Sequence, residues 1–150
     1  MSTDGALQIH ATCVALDGAG ILIRGPSGSG KSDLALRLLD RGAKLVADDR
    51  VDLAARDGHL AASPPESLSG LLEVRGMAIV RLEYLPDVPI TIVVDLTDRQ
   101  VIARLPAPET VNISGIGLPL FQIDPFDNSA ITKVRLALDL ALHRIMRADD

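Results

Sequence analysis

The sequence predicts an α/β domain in which a mixed β-sheet packs around one helix that follows a glycine-rich loop. Three observations predict it. The short apolar run Ile21-Leu22-Ile23 leads into Gly25-Pro26-Ser27-Gly28-Ser29-Gly30-Lys31-Ser32. Leu34-Ala35-Leu36-Arg37-Leu38-Leu39 follows with the pattern of a buried helix. Further short apolar runs, of which Val88-Pro89-Ile90-Thr91-Ile92-Val93-Val94-Asp95 is the strongest central-strand candidate, are bounded by turn residues along the rest of the chain.

The loop fits G-x-x-x-x-G-K-[ST] at every fixed position. Glycines let the backbone curl until consecutive N–H groups converge on phosphate oxygens. The helix start adds unpaired N–H donors and a partial positive charge. Lys31 is placed to reach β- and γ-phosphates, and the Ser32 hydroxyl to ligate Mg²⁺. A chance glycine-rich turn is the competing account, and the strand before it and helix after it weigh against that. The loop therefore predicts binding of a nucleoside triphosphate or a close relative.

Composition bounds the remaining classes. A chain of 150 residues and 15.9 kDa suits one domain, taken here as residues 1–150. At 47% hydrophobic, disorder does not describe the whole. Aromatics are only 2%, so the core is aliphatic and base-stacking platforms for single-stranded nucleic acid are not expected. A net charge of −5 also argues against a general nucleic-acid binder and suits a partner with a basic contact face. Cys13 is the one cysteine, which leaves no disulfide framework or cysteine metal cluster; it reads as a buried thiol. Met1-Ser2-Thr3-Asp4-Gly5 lacks the features of a secretory leader, and no apolar run approaches the ~18 residues of a membrane helix. A cytoplasmic protein is expected.

Taken in order, Leu7 to Leu16 reads as a strand, Asp17-Gly18-Ala19-Gly20 as a turn, and Ile21 to Arg24 as the strand entering the loop. His10 on the first strand reads as a partly exposed strand histidine. The loop helix runs from about Ser32 to Arg41 and stops at Gly42, a good residue for the position after a helix. Lys44-Leu45-Val46-Ala47 is a short strand that delivers Asp48-Asp49. Strand ends carry chemistry in α/β folds, so one carboxylate can serve Mg²⁺, directly or through water, and the other can take a proton from an attacking hydroxyl. A solvated acidic turn is the bland account, and the neighbouring loop tips the balance to function.

Val51-Asp52-Leu53-Ala54-Ala55 alternates, Asp57-Gly58 turns, and His59-Leu60-Ala61-Ala62 returns, with His59 exposed. Ser63 to Ser67 is a surface loop. In Leu71-Leu72-Glu73-Val74-Arg75-Gly76 an extended backbone puts Glu73 and Arg75 on one side. That pair is either a surface ion pair or a Mg²⁺-facing carboxylate beside a phosphate-facing guanidinium. Arg99 to Arg104 and Thr110 to Ser114 read as short strands, and Gly115 to Pro125 as a strand between turns. Asp127-Asn128-Ser129 offers caps for a last helix whose apolar positions are Ile131, Val134, Leu138, Leu142 and Ile145.

Gly28-x-Gly30-Lys31-Ser32, Arg41-Gly42, Leu45-Val46-Ala47-Asp48-Asp49 and Leu72-Glu73-Val74-Arg75-Gly76, with His10 upstream, resemble the catalytic domain of HPr kinase/phosphorylase in residue and spacing. The resemblance covers residues 8 to 81 well and the remainder loosely. It implies a protein-serine kinase that uses ATP and Mg²⁺ to phosphorylate an HPr-type phosphocarrier. It also implies a nucleotide site similar to that of phosphoenolpyruvate carboxykinase. By the same resemblance Ser32 and Glu73 hold metal, Asp49 is the base, Lys31 neutralises phosphate charge, His10 joins the active site, and Asp48 assists metal or water. Three departures stand out. The family's usual N-terminal domain has no counterpart, which points to the family's shortened form. Ala78 stands where the family has glycine, and Asp124-Pro125-Phe126-Asp127-Asn128 stands where it has a basic loop tied to the reverse, dephosphorylating reaction. Kinase activity is thus the safer expectation, and the reverse, phosphorylase reaction is left open. A small-molecule kinase and a non-catalytic nucleotide-sensing module remain alternatives, and a homo-oligomer is left open.

Overall fold

A computed structural model describes residues 6–148 of the chain. The Met1–Gly5 segment, read above as lacking a leader, lies outside the described residues. In chain order the strands are β1 Leu7–Ile9, β2 Thr12–Leu16, β3 Ala19–Arg24, β4 Lys44–Ala47, β5 Val51–Arg56, β6 His59–Ser63, β7 Leu71–Val74, β8 Ala78–Arg81, β9 Val88–Leu96, β10 Glu109–Ile113 and β11 Ile116–Ile123. Helix α1, Lys31–Asp40, follows the glycine-rich loop, and α2, Ala130–Ala141, follows the last strand.

The fold is the predicted mixed α/β arrangement. β9 joins its two halves. It pairs antiparallel with β6 at Val88–Pro89, parallel with β3 from Ile90 to Asp95, and parallel with β11 from Val93 to Leu96. The main path runs β1-β5-β6-β9-β3-β2-β4, with β10 attached through β11, while β7 and β8 form a separate hairpin.

Both faces of the central strands are buried, which is why they read as continuous apolar runs rather than alternating ones. Val14, Ile21, Ile23, Ile92 and Val94 face Leu34, Leu38, Val134 and Leu138 of the two helices. The intervening Cys13, Ala15, Leu22 and Val93 face the opposite way, onto Val46, Leu53, Leu60 and Leu118. Cys13 is fully buried, as the sequence suggested, and burial pushes its thiol pKa far up.

Several local expectations are corrected. The predicted strand Leu7–Leu16 is two strands: β1 pairs with β5, whereas β2 pairs with β3 and β4, so the chain changes partners across His10 and Ala11. The turn between β2 and β3 is only Asp17-Gly18, both at positive φ (52° and 81°), and Ala19 and Gly20 already belong to β3. Arg99–Arg104 forms turns, not a strand. Val101 and Ile102 bond back to Asp98 and Arg99, and Val101 is 75% exposed with no neighbouring strand to pair with. β8 was not anticipated; Arg75-Gly76 folds it back on β7, with Gly76 at φ 80° and Met77 N–H donating to Val74 O.

Both helices end in the same way. At α1, Gly42 at φ 100° donates to Leu39 O and Ala43 to Leu38 O; at α2, His143 at φ 58° donates to Leu140 O and Arg144 to Asp139 O. Each pair is a Schellman closure. The apolar spacing through Leu142 and Ile145 therefore runs past the true end of α2, and both side chains are partly exposed. Among the described residues no helix is long and apolar enough to cross a membrane.

Gly20 supplies a test of the β3–β9 contact. A Cβ there would sit 2.6 Å from Pro89 O, a backbone atom, whereas one on Gly117 in β11 would meet nothing within 4 Å. Gly20→Ala is expected to destabilise the domain by about 1–3 kcal/mol, and Gly117→Ala to stay within about 0.5 kcal/mol of the parent. Urea unfolding of the three proteins measures both.

Candidate active site

The carboxyl ends of β3 and β4, the start of α1 and the β7–β8 turn converge on one cleft of about 440 Å³. His10, Ser27, Gly28, Gly30, Lys31, Ser32, Asp49, Glu73 and Arg75 all line it, so most residues singled out from the sequence are brought together. Gly25, Pro26, Ser29 and Asp48 stand behind that lining.

The loop geometry follows from its glycines. Gly28 and Gly30 take positive φ, 80° and 102°, and Gly30 is the residue that caps α1. Gly25 is required for space: a Cβ there would lie 2.5 Å from Ser29 Oγ and 3.3 Å from Leu96 Cβ. Ser29 folds inward, its N–H donating to Pro26 O at 3.0 Å, and its buried Oγ has no partner among the described residues. Behind the loop, Arg24 ends β3 with a bidentate pair to Asp95 of β9, Nε–Oδ1 2.7 Å and Nη2–Oδ2 2.9 Å. That pair fixes where the loop leaves the sheet.

Lys31 is buried, and its ammonium donates to Gly25 O at 2.7 Å and Pro26 O at 3.0 Å. Two of its three protons are thereby used on the loop itself, leaving one for an anion. Burial lowers its pKa, against the raising influence of the Asp48 and Asp49 charges. A helix start leaves its first N–H groups unpaired, which suits an anion beside Gly30 and Lys31.

The two adjacent carboxylates separate completely. Asp48 turns inward and is 6% exposed. Its Oδ1 accepts from Thr12 Oγ1 at 2.9 Å and Ser32 Oγ at 2.7 Å, and its Oδ2 from the Glu73 backbone N–H at 3.3 Å. Asp49 turns outward into the cleft, where Oδ1 lies 2.8 Å from His10 Nε2. The separation is made by the backbone. Asp49 has φ 72° and Arg50 N–H bonds to Asp48 O at 2.8 Å, a γ-turn in its rarer and more strained form.

Chemically, the cleft offers one ammonium, one guanidinium, the three exposed carboxylates of Asp33, Asp49 and Glu73, and a hydroxyl beside a helix start. Because the Ser32 proton is committed to Asp48, the serine lone pairs are left to face a cation. No group of three or more His, Cys, Asp or Glu side chains among the described residues is arranged to hold a metal alone. The donor set fits a hard cation shared with phosphate and water, not a closed protein cage.

Two participants escaped the sequence reading. Thr12 is the buried hydroxyl that anchors Asp48; its signal was a lone polar side chain in an otherwise apolar strand. Phe126 lines the cleft from the segment before α2, and its signal was an aromatic residue in a chain with only two phenylalanines.

Comparison with known proteins bears on these observations. The model of the HPr serine kinase C-terminal domain family matches residues 4–124. An HPr kinase/phosphorylase of Clostridium botulinum is 46% identical over 78 residues, which is 52% of this chain and 26% of that protein. One of Streptococcus thermophilus is 52% identical over 74 residues, 49% of this chain and 24% of that protein. The chain thus spans about a quarter of the length of the curated relatives it matches. The solved HPr(Ser) kinase/phosphatase of Coxiella burnetii superposes with a TM-score of 0.77 at 25% identity, covering 92% of this chain and 96% of that one. A family match over most of the residues, with the fold of a solved member, establishes that the chain belongs to the HPr serine kinase C-terminal domain family.

Proposed function

We propose that the protein is an ATP- and Mg²⁺-dependent protein-serine kinase whose acceptor is an HPr-type phosphocarrier, acting in the cytoplasm as a single catalytic domain. The observation that carries this reading is the outward turn of Asp49 into the cleft that also holds Lys31, Ser32 and Glu73. Family membership, and relatives that are HPr kinase/phosphorylases, support that choice of acceptor.

The geometry supports the following course of reaction. Phosphates rest on the N–H groups of the loop from Gly25 to Ser32, with the free Lys31 proton on a phosphate oxygen and Arg75 closing from the β7–β8 turn. Bound Mg²⁺ would neutralise phosphate charge between the Ser32 hydroxyl and the Glu73 carboxylate. Asp48 does not touch the reacting atoms in this scheme; it holds Ser32 in the orientation a cation needs. Asp49 accepts the proton of the attacking serine hydroxyl as that oxygen bonds to the γ-phosphorus and ADP leaves. His10 orients Asp49 through the 2.8 Å contact. The reverse reaction needs free inorganic phosphate in the same cleft. Of the segment Asp124–Asn128 only Phe126 lines that cleft, so the segment brings it no cation, and only the forward direction is proposed.

Four outcomes test the scheme. Lys31→Ala is expected to weaken ATP binding in calorimetry while the melting curve stays that of a folded protein; unchanged affinity would remove Lys31 from the site. Asp49→Asn is expected to slow transfer to an HPr-type carrier by roughly 10²–10⁴-fold with ATP binding retained. Asp48→Asn, in contrast, places an amide nitrogen where only acceptors fit and should lower stability by about 1–3 kcal/mol. Equal transfer by parent and Asp49→Asn would defeat the base assignment. Finally, Ser32→Ala and Glu73→Gln should each raise the Mg²⁺ concentration needed for half-maximal transfer, and a Mg²⁺ titration unchanged in both would exclude them as ligands.

A further inference from the structure

Beyond the phosphate end of the cleft, a second hollow of about 720 Å³ opens between α1 and the segment from Pro125 to Thr132. The two spaces adjoin, for Asp33, Leu36 and Phe126 line both. The hollow begins at the loop: Phe126 Cζ is 3.7 Å, and Pro125 Cγ 3.4 Å, from where a Gly30 Cβ would stand. Phe126 is 77% exposed, an aromatic ring with no core of its own. Its backbone is nevertheless held firmly. The Phe126 N–H donates to Asp124 Oδ1 at 2.9 Å, Pro125 is buried, and Arg37 of α1 donates to Pro125 O. A rigidly presented, unburied ring at the mouth of a hollow is the arrangement of a stacking surface.

Charge narrows the ligand. Asp33, Asp40 and Asp127 face the hollow against Arg37 and Arg41. Arg37 is already paired with Asp33 at 3.2 Å, and Asp127 with Arg99 and Lys133 at 3.3 Å each. A second anion finds no unopposed cation cluster there. A neutral, planar ligand with apolar faces and a polar edge fits better: Phe126, Leu36 and Ile131 supply apolar contact, and Asn128 and Thr132 supply an amide and a hydroxyl.

We infer that this hollow seats the base of a nucleotide whose phosphates lie on the Gly25–Ser32 loop, with the base stacked on Phe126. The inference rests on the nucleotide-binding reading above and adds a base subsite to it.

Calorimetry with two probes, ATP and inorganic tripolyphosphate, each with Mg²⁺, separates the two readings. The parent is expected to bind ATP more tightly than tripolyphosphate. Phe126→Ala should weaken ATP by roughly 5- to 150-fold and leave tripolyphosphate unchanged, while Phe126→Trp should retain ATP affinity. Because the ring is exposed, Phe126→Ala should melt with the parent, and that control excludes misfolding as the cause. If Phe126→Ala binds ATP as the parent does, or weakens both probes equally, the base subsite is wrong although the phosphate loop stands. If the parent binds neither probe, the nucleotide reading falls and the inference with it.

Discussion

The site is organised by one buried carboxylate. Asp48 accepts from Thr12 on β2, from Ser32 on α1 and from the Glu73 backbone on β7, three elements that are far apart in sequence. Taking a carboxylate out of water costs several kcal/mol, and three donors offset much of that because bonds to a charged acceptor contribute about 1.5–3 kcal/mol each. The arrangement is stable only when all three elements are in register, so Asp48 couples the placement of the loop helix to that of the β7–β8 hairpin. Thr12, Lys31 and Asp48 are the buried polar or charged side chains among the described residues, and all three lie here. Among the described residues, the buried polar and charged side chains thus gather at the cleft.

Around that point the sheet provides rigidity. β9 serves β6 at one end and β11 at the other, with β3 along its middle, so a single strand holds the two halves of the sheet together. The parallel pair β3–β9 ends at Arg24 and Asp95, whose bidentate contact lies immediately before the glycine-rich loop. Helices on one face and the curled remainder of the sheet on the other exclude water from these strands. Loop flexibility, where the fold has it, therefore starts from a fixed base.

Much of this was legible from residues alone, and the failures have physical causes. The strand–loop–helix unit was clear because apolar runs, glycines and Lys-Ser coincide in one stretch. Gly42 marked the end of α1, whereas the matching closure of α2 is carried by His143, which adopts the left-handed region without advertising it. Arg99–Arg104 has strand-like residues but no partner, and pairing is a tertiary fact that propensity does not report. Asp48 and Asp49 were identifiable as a pair, and alternation along a strand would have sent them to opposite sides. Which one entered the cleft depended on the γ-turn and on Thr12, neither of which spacing reveals. The nearness of Phe126 to Gly30 depends on how the chain returns past β11, and no local signal encodes it.

The γ-turn at Asp49 also sets two pressures against each other. A residue with a side chain held in the left-handed region costs of order 1–3 kcal/mol, and glycine would relieve it. Selection for thermal stability alone would accordingly favour loss of this carboxylate, since it is exposed and its removal leaves the core intact. Nothing in the packing of the core compensates that cost, so the strain at position 49 is set by the turn and not by burial. A glycine at position 49 would therefore trade a carboxylate in the cleft for a relaxed backbone, with stability and the charge of the cleft moving in opposite directions.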